Sequence, residues 1–267
     1  MVEFLSLCKI KDNILKVTFL GTGTSQGIPV IGCQCEVCKS EDSRNNRLRS
    51  SVLIEVNDLL LVIDSGPDFR QQMLRADVRR LDGILFTHEH KDHIAGLDDV
   101  RAFNWVNKKH AEVYAEERVI NAIKREFGYA FEENPYPGVP RINLNIIDQE
   151  PFYINSTKVI PIRGKHLNLP VLGFRIEDFT YITDFNYISE QELLKVKGSK
   201  VLVVNGLRKE SHISHFTLTE ALDVISKAVP QKAYITHISH QLGLYEAEDK
   251  LLPANVNLAY DSLVLNI

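Results

Sequence analysis

The segment Leu81-Asp82-Gly83-Ile84-Leu85-Phe86-Thr87-His88-Glu89-His90-Lys91-Asp92-His93 constrains this chain more than any other. A short apolar run of strand length delivers the backbone directly into four ligand-type side chains within six positions. His88 and His90 lie two residues apart, so an extended backbone turns both imidazoles to one side. The turn that follows swings Asp92 and His93 towards a neighbouring point. One segment can thereby serve two metal ions, a reading that outweighs an incidental polar loop. Two ions need further ligands, and three candidates sit in matching settings. His166 follows the apolar run ending near Ile162, Asp184 directly follows Tyr181-Ile182-Thr183, and His237 directly follows Tyr234-Ile235-Thr236. The chain therefore has to bring several strand ends to one place.

The remaining pattern supplies those strands. Lys16–Leu20 reads as a strand stopped by Gly21 and Gly23, and Ser51–Val56 with Leu59–Ile63 reads as a hairpin across Asn57-Asp58. Helices are predicted over 68–75, 117–127 and 217–228. Strands are predicted over 81–86, 112–115, 142–147, 158–162, 171–176, 181–183 and 201–204, and near 233–236, 257–259 and 262–265. Strands outnumber helices, and helices recur from start to end, which fits an α/β fold of two sheets with helices outside them. We expect a single domain over 1–267 with an irregular, functional loop at about 21–49. With 44% hydrophobic and 25% charged residues, the 267-residue chain can bury a sizeable core. Its formal net charge of -4 gives no reason to expect a general polyanion-binding surface. No apolar run approaches the roughly 18 residues of a membrane helix. Glu3, Lys9, Lys11 and Asp12 do not fit a signal peptide, so a cytoplasmic protein is expected.

Cys33, Cys35 and Cys38 form a C-x-C-x-x-C cluster inside that loop. In a reducing compartment such a cluster reads as metal binding ahead of a disulfide, and three thiolates want a fourth ligand for a closed tetrahedral zinc. His240, three residues beyond His237, is available for it. Cys8 has no cysteine nearby and is expected to be inert.

The H-x-H-x-D-H string, with His166, Asp184 and His237 behind it, resembles the signature of the metallo-β-lactamase superfamily. The resemblance covers most of the chain, from about Val17 to Leu265, and implies an αββα sandwich of two mixed β-sheets flanked by helices. It implies that His88, His90 and His166 hold one divalent metal (zinc or manganese), that Asp92, His93 and His237 hold a second, and that Asp184 bridges them. Asp64, in Val62-Ile63-Asp64-Ser65-Gly66, matches the superfamily's early acidic motif, a prop for the ligand loop. The cysteine cluster and the opening Phe19-Leu20-Gly21-Thr22-Gly23-Thr24-Ser25-Gln26-Gly27-Ile28-Pro29 resemble the branch containing the cyclic-ribose-phosphate phosphodiesterase of bacterial phosphonate breakdown. That branch carries a structural zinc at a Cys3His site.

His215, in Ser214-His215-Phe216-Thr217, resembles the branch's H-x-T element, which implies a general acid, with His212 as rival; Arg208 and Lys209 are candidate phosphate contacts. The expected activity is a metal-dependent phosphodiesterase on a small or cyclic phosphodiester, with hydroxide on the metal pair as attacking group and Asp92, Asp184 and His215 in the catalytic set. A lactonase or thioesterase would use the same metals. A transfer-RNA 3′-processing nuclease is disfavoured, because the long basic insertion of those relatives is not found. A metal-dependent carrier of cofactor biosynthesis is the non-enzymatic alternative. The expected partner is a small molecule, with neither nucleic acid nor membrane; a homodimer is compatible with the resemblance.

Overall fold

The computed structural model describes residues 15–267, and the expectations for Glu3, Cys8, Lys9, Lys11 and Asp12 lie outside the described residues. β1 (Lys16–Gly21) pairs antiparallel with β2 (Ser51–Val56), and β2 turns back onto β3 (Leu59–Ile63). Asn57 and Asp58 make that turn at φ 49° and 63°, the mirror-image geometry whose twist suits a two-residue hairpin. From β3 the sheet continues in parallel through β4 (Gly83–Leu85), β5 (Ala111–Ala115) and β6 (Ile142–Ile146). The crossovers carry α1 (Phe69–Arg75), then α2 (Lys91–Ile94) and α3 (Arg101–Asn107), then α4 (Glu117–Glu126).

The second sheet begins with a meander of β7 (Phe152–Ile154), β8 (Thr157–His166), β9 (Leu169–Ile176) and β10 (Phe179–Ile182). After β11 (Tyr187–Ile188), which pairs with β8, come α5 (Glu190–Val196), β12 (Val201–Asn205), α6 (Leu218–Ala228), β13 (Lys232–Thr236), α7 (Tyr245–Asp249) and β14 (Val256–Leu258). β10, β12, β13 and β14 run parallel. β15 (Val264–Asn266) returns to pair with β1. The strand orders are β15-β1-β2-β3-β4-β5-β6 and β11-β8-β9-β10-β12-β13-β14.

Alternation along the strands divides the buried side chains into three cores. Phe19, Ile54, Ile63, Phe174, Tyr181 and Val203 fill the space between the sheets. Val62, Ile84, Phe69 and Ile123 pack the first sheet against its helices, and Ile182, Val204, Leu193 and Ile225 do so for the second. This is the α/β sandwich that the pattern predicts. The parallel strands β3 and β4, and β10, β12 and β13, send their C-terminal ends to the side where the ligand-type residues lie.

Two differences from the sequence reading, and one agreement, matter for that side. β8 runs four residues past Ile162, so His166 is its last residue rather than part of a following loop. The pairing Lys165↔Pro170 and His166↔Leu169 holds it in the β8–β9 hairpin, closed by Leu167 at φ 57°. α5 has no counterpart in the reading, although Ser189 caps it by accepting from the Glu192 N–H at 3.2 Å, a signal that Ser189 and Glu192 carry in sequence. The 21–49 loop is irregular as expected, with a 3₁₀ turn at Ser43–Asn45 and single bridges Gly23–Arg49, Gly23–Ile238 and Ile28–Arg47. Its base is anchored by the buried Arg47, which donates to Thr22 Oγ1 at 2.8 Å, while Asp261 accepts from Thr22 Oγ1 and Leu48 N.

Candidate metal centre

Five strand ends build the site. Asp64 directly follows β3, β4 leads through Phe86 and Thr87 into His88, β8 ends in His166, Thr183-Asp184 follows β10 and His237 follows β13. Asp64, Asp184 and His237 all take left-handed backbone, at φ 64°, 62° and 54°. That conformation, costly for residues other than glycine, bends the chain at the strand end. Gly66 lets the Asp64 turn sit against the histidine loop, since a Cβ there would lie 2.0 Å from the Asp92 carbonyl oxygen.

The hydrogen bonds around the imidazoles dictate which nitrogens are bare. The carboxylate of Asp64, fully buried, accepts from Thr87 N and Thr87 Oγ1 at 2.9 Å and from His93 Nδ1 at 2.7 Å. A carboxylate only accepts here, so His93 Nδ1 carries a proton. Thr87, having given its proton to Asp64, accepts from His88 Nδ1 at 2.9 Å. His166 Nδ1 donates to the Ser214 carbonyl at 2.8 Å. In all three rings the other nitrogen, Nε2, is thereby left to face the cluster. Nε2 of His88 and of His93 is buried without any hydrogen-bond partner. Second partners that fix the tautomer and orient the ring are characteristic of metal-ligating histidines.

Ligand atoms of His88, His93 and Asp184, of His166, Asp184 and His215, and of Asp92, Asp184 and His237 lie within 4.8 Å of one another in each triplet. Asp184 belongs to all three triplets. His93 Nε2 is 3.2 Å from both Asp92 Oδ2 and Asp184 Oδ2, and His237 Nδ1 is 3.2 Å from Asp184 Oδ2. His90 stands just outside the triplets, its ring 4.6 Å from that of His88 and 5.0 Å from that of His166. Burial works against charge on Asp184, but the imidazoles of His237 and His93 outweigh it and hold the carboxyl well below its usual range. Asp92 is lowered in the same way by His93, against its own burial. Burial, then the neighbouring His93, pushes His88 well down, and burial lowers His237. His93 itself is held well above its usual range by Asp92, Asp184 and Asp64 against its burial. The result is two ionised carboxylates facing the Nε2 atoms of several imidazoles, a donor set that suits zinc, manganese or iron.

His215 reaches the same space. Its ring is 4.5 Å from His166 and 4.9 Å from His237, and its buried Nδ1, 3.7 Å from Asp184 Oδ1, has no hydrogen-bond partner. Burial pushes its pKa down to about 3, against the pull of Asp184. His212 is 5.1 Å from His215, ring to ring. Arg208, by contrast, spends its guanidinium on Glu210 O, Ser211 O and Gln241 Oε1, bracing its own loop. Lys209 pairs with Glu248 at 2.7 Å.

The second cluster is sulfur-rich. Sγ of Cys33, Cys35 and Cys38 lie 3.4, 3.3 and 3.7 Å from His240 Nδ1. One N–H can point at only one sulfur, whereas a tetrahedral zinc with bonds of about 2.3 Å to S and 2.0–2.1 Å to N puts each S···N edge at about 3.5 Å. The side chains therefore fit a closed zinc site. Hydrogen bonding, led by His240, lowers the Cys35 thiol to about 6, while burial raises Cys38 to about 11.

The family model for the beta-lactamase superfamily domain matches residues 60–238, about two thirds of the chain. The chain belongs to the metallo-β-lactamase superfamily. Its similarity to the crystal structure of a diphosphatase from the PhnP family puts it in the PhnP-like branch: 35% identity, TM-score 0.89, with 95% of this chain and 97% of that one covered. The zinc-bound PqqB of Methylobacterium extorquens shares the fold, with 18% identity, TM-score 0.73 and coverage of 94% and 100%. The octanoyltransferase of Porphyromonas gingivalis is 39% identical over 253 residues, which are 93% of this chain and 51% of that protein. The chain thus spans about half the length of that curated relative. No described helix is long and apolar enough to cross a membrane.

Sequence reasoning missed the hydroxyls that serve the rings. Thr24 Oγ1 and Ser50 Oγ flank His237, each 3.2 Å from a ring nitrogen, and Thr183 Oγ1 is 3.3 Å from Nδ1. One signal was present: a threonine directly precedes His88, Asp184 and His237. Asn186 was missed as well. Its side chain ties the His166 turn to the His212–His215 loop, accepting from Leu167 N and donating to Ile213 O, both at 3.0 Å.

Proposed function

We propose that the chain hydrolyses a small or cyclic phosphodiester. In this reading His88, His90 and His166 hold one divalent ion, zinc or manganese, Asp92, His93 and His237 hold a second, and Asp184 lies between them. Cys33, Cys35, Cys38 and His240 hold a structural zinc. The observation that carries the reading is the pair of buried, unpartnered Nε2 atoms of His88 and His93 facing ionised Asp184. Two bound ions would lower the pKa of a shared water and polarise an ester oxygen. The residues of the chain do the rest. Asp64 and Thr87 hold the Nδ1 protons of His93 and His88, so Nε2 of each ring is the atom turned to an arriving ion. His215 serves the leaving oxygen. Burial keeps it neutral at rest, and an anionic ester beside Asp184 favours the imidazolium, so its proton is gained as substrate enters. His212, more exposed and beside it, is the group to pass that proton in. Similarity to a PhnP-family diphosphatase supports a phosphoryl compound over an acyl one as the class of substrate.

Likeness to half of an octanoyltransferase favours a second reading, hydrolysis of an acyl ester or thioester. Metal-stripped protein resupplied with manganese or zinc is tested on bis(p-nitrophenyl) phosphate, cyclic phosphates, a lactone and an octanoyl thioester. The phosphodiesters are expected to turn over, with kcat lowered about 10²–10⁴-fold in His215→Ala. Turnover of the lactone or thioester alone would overturn the first reading in favour of the second.

A further inference from the structure

The two clusters are joined by a short and fully bonded link. His237 and His240 are three residues apart, and the 21–49 loop that carries the cysteines grips the segment between them at several points. Ile238 N donates to Thr22 O at 2.9 Å and Thr24 N donates to Ile238 O at 3.1 Å, so Ile238 is paired to the loop as a bridge partner of Gly23. Gly23 also bridges Arg49, and its carbonyl accepts from both Ser50 N and Ser50 Oγ, at 3.0 and 2.9 Å. From the two ends of that loop come the hydroxyls on the His237 ring: Thr24 Oγ1 at Nε2 and Ser50 Oγ at Nδ1, each at 3.2 Å. The far end of the loop is tied back through Cys33, Cys35 and Cys38 around His240, through the Ile28–Arg47 bridge, and through Asn45, whose Oδ1 accepts from Tyr245 N at 2.8 Å.

We propose that the Cys33-Cys35-Cys38-His240 cluster positions His237, so that zinc on the sulfurs sets how tightly the Asp92/His93/His237 half of the other cluster holds its ion. With the sulfurs closed around His240, Thr22–Thr24 and Ser50 are pressed onto Ile238 and His237. With that tie released, the three thiols part and the stretch between Ile28 and Asn45, which carries them, regains freedom, loosening the loop that presses on Ile238. His237, already in left-handed backbone at φ 54°, then loses the neighbours that fix its ring. Thr24, Ser50 and the sulfur ligands are positioning residues in this scheme, acting through His237. The inference rests on the proposed metal reading of the His/Asp cluster and not on the substrate.

The test titrates Mn²⁺, a poor thiolate partner, into zinc-loaded full-length chain whose His/Asp cluster has been emptied, and reads bound ions by electron paramagnetic resonance with no substrate present. Wild type is expected to take up two ions. Cys35→Ser is expected to keep the first and bind the second about 10–100-fold more weakly, the usual cost of losing an outer partner. If Cys35→Ser does not fold, the double variant Thr24→Val/Ser50→Ala, which leaves the sulfurs in place, is expected to weaken the second ion likewise. Wild-type affinity for both ions in a folded Cys35→Ser chain, or in the double variant, would overturn the inference. A wild-type chain that takes up no Mn²⁺ would overturn the metal reading and this inference together, whereas normal uptake without phosphodiester turnover would count only against the substrate.

Discussion

Asp64 offers the sharpest test of how the site is built, because its carboxylate touches the ligand loop and no proposed ion. Asp64→Asn keeps the shape and suits the left-handed backbone at φ 64°. It replaces one acceptor oxygen by an N–H₂ donor, and the three donors now satisfied are Thr87 N, Thr87 Oγ1 and His93 Nδ1. If the amide nitrogen meets His93, two donors face each other at 2.7 Å. Loss of a charge-assisted bond at a buried site costs about 1.5–3 kcal/mol, and leaving the His93 imidazolium without this partner can bring it to about 3–5 kcal/mol. At about 2–4 °C per kcal/mol for a chain of this size, a 3 kcal/mol loss lowers the melting temperature by roughly 6–12 °C. The ring has one escape: His93 can give up its Nδ1 proton, keep the one on Nε2 and accept from the amide. That restores stability but closes the nitrogen that faces Asp184, and ion affinity then falls about 10–100-fold. The two costs are alternatives, so both have to be read: thermal melting of the metal-stripped chain and Mn²⁺ titration of the same sample. A variant with wild-type melting and wild-type ion affinity would refute the tautomer argument altogether.

Other perturbations separate the parts of the site. Asp184→Asn should lower turnover by more than the about 10–100-fold cost of an outer partner with little change in melting, whereas Cys33→Ser should first lose stability, by about 3–5 kcal/mol as for a lost long-range cross-link; equal melting losses in the two would contradict this division. Gly66→Ala puts a Cβ 2.0 Å from Asp92 O, so calorimetry should show at least about 2 kcal/mol of destabilisation with weaker ion binding, and a neutral outcome would mean that the turn is not held against the loop. In the metal-stripped chain, burial keeps His88 and His237 below their ordinary pKa and His215 at about 3. Each binds fewer protons folded than unfolded, so its stabilisation is present above about pH 6.5 and is lost as pH falls from there, by up to about 1.4 kcal/mol per unit. His93, held up by Asp92, Asp184 and Asp64 against its burial, contributes in the opposite sense and loses its share as pH rises. The three outweigh the one, so melting should be lower at pH 5.5 than at 7.5, with a smaller difference in His215→Gln; a higher melting temperature at pH 5.5 would refute the balance.

What could be read from the chain and what could not divide along a physical line. Ligand types are rare and clustered, so His88, His90, Asp92, His93 and the three cysteines stand out by spacing alone. His166, Asp184 and His237 stand out because each closes a strand-like run. The hydroxyls of Thr24 and Ser50 are common polar groups, and nothing local marks them. Their partners lie far along the chain: 213 residues separate Thr24 from His237, and 187 separate Ser50 from it. Only the pairing of the 21–49 loop with Ile238 brings them there. α3 escapes the pattern for another reason. Its single buried residue is Asn104, which donates to Lys109 O and Arg141 O, while Trp105 and Val106 are exposed, so the apolar periodicity that announces a surface helix is inverted. Arg208 shows the converse, a charge that invites a ligand in sequence and is spent on its own loop in the fold.

The strand-end turns explain why one edge can gather so many ligands. A residue within a strand points its side chain to one face or the other, into the core or the helix layer, and cannot reach the sheet's end. A single left-handed residue at the last position redirects it along the strand, and Asp64, Asp184 and His237 all do this. Each needs outside bracing, since the conformation costs of the order of 1–3 kcal/mol. Asp64 is braced within its own sheet, with its N–H on Leu85 O and its carbonyl on Ser51 Oγ. At His237 the sheet reaches only as far as Thr236, whose carbonyl accepts from Gly206 N at the end of β12; beyond it, Ile238 N is held by Thr22 O of the 21–49 loop. Asp64 therefore depends on a sheet that forms with the core, whereas His237 depends in addition on a loop with little core of its own. This difference makes the sulfur cluster at the loop's far end a condition for the site and not a distant ornament.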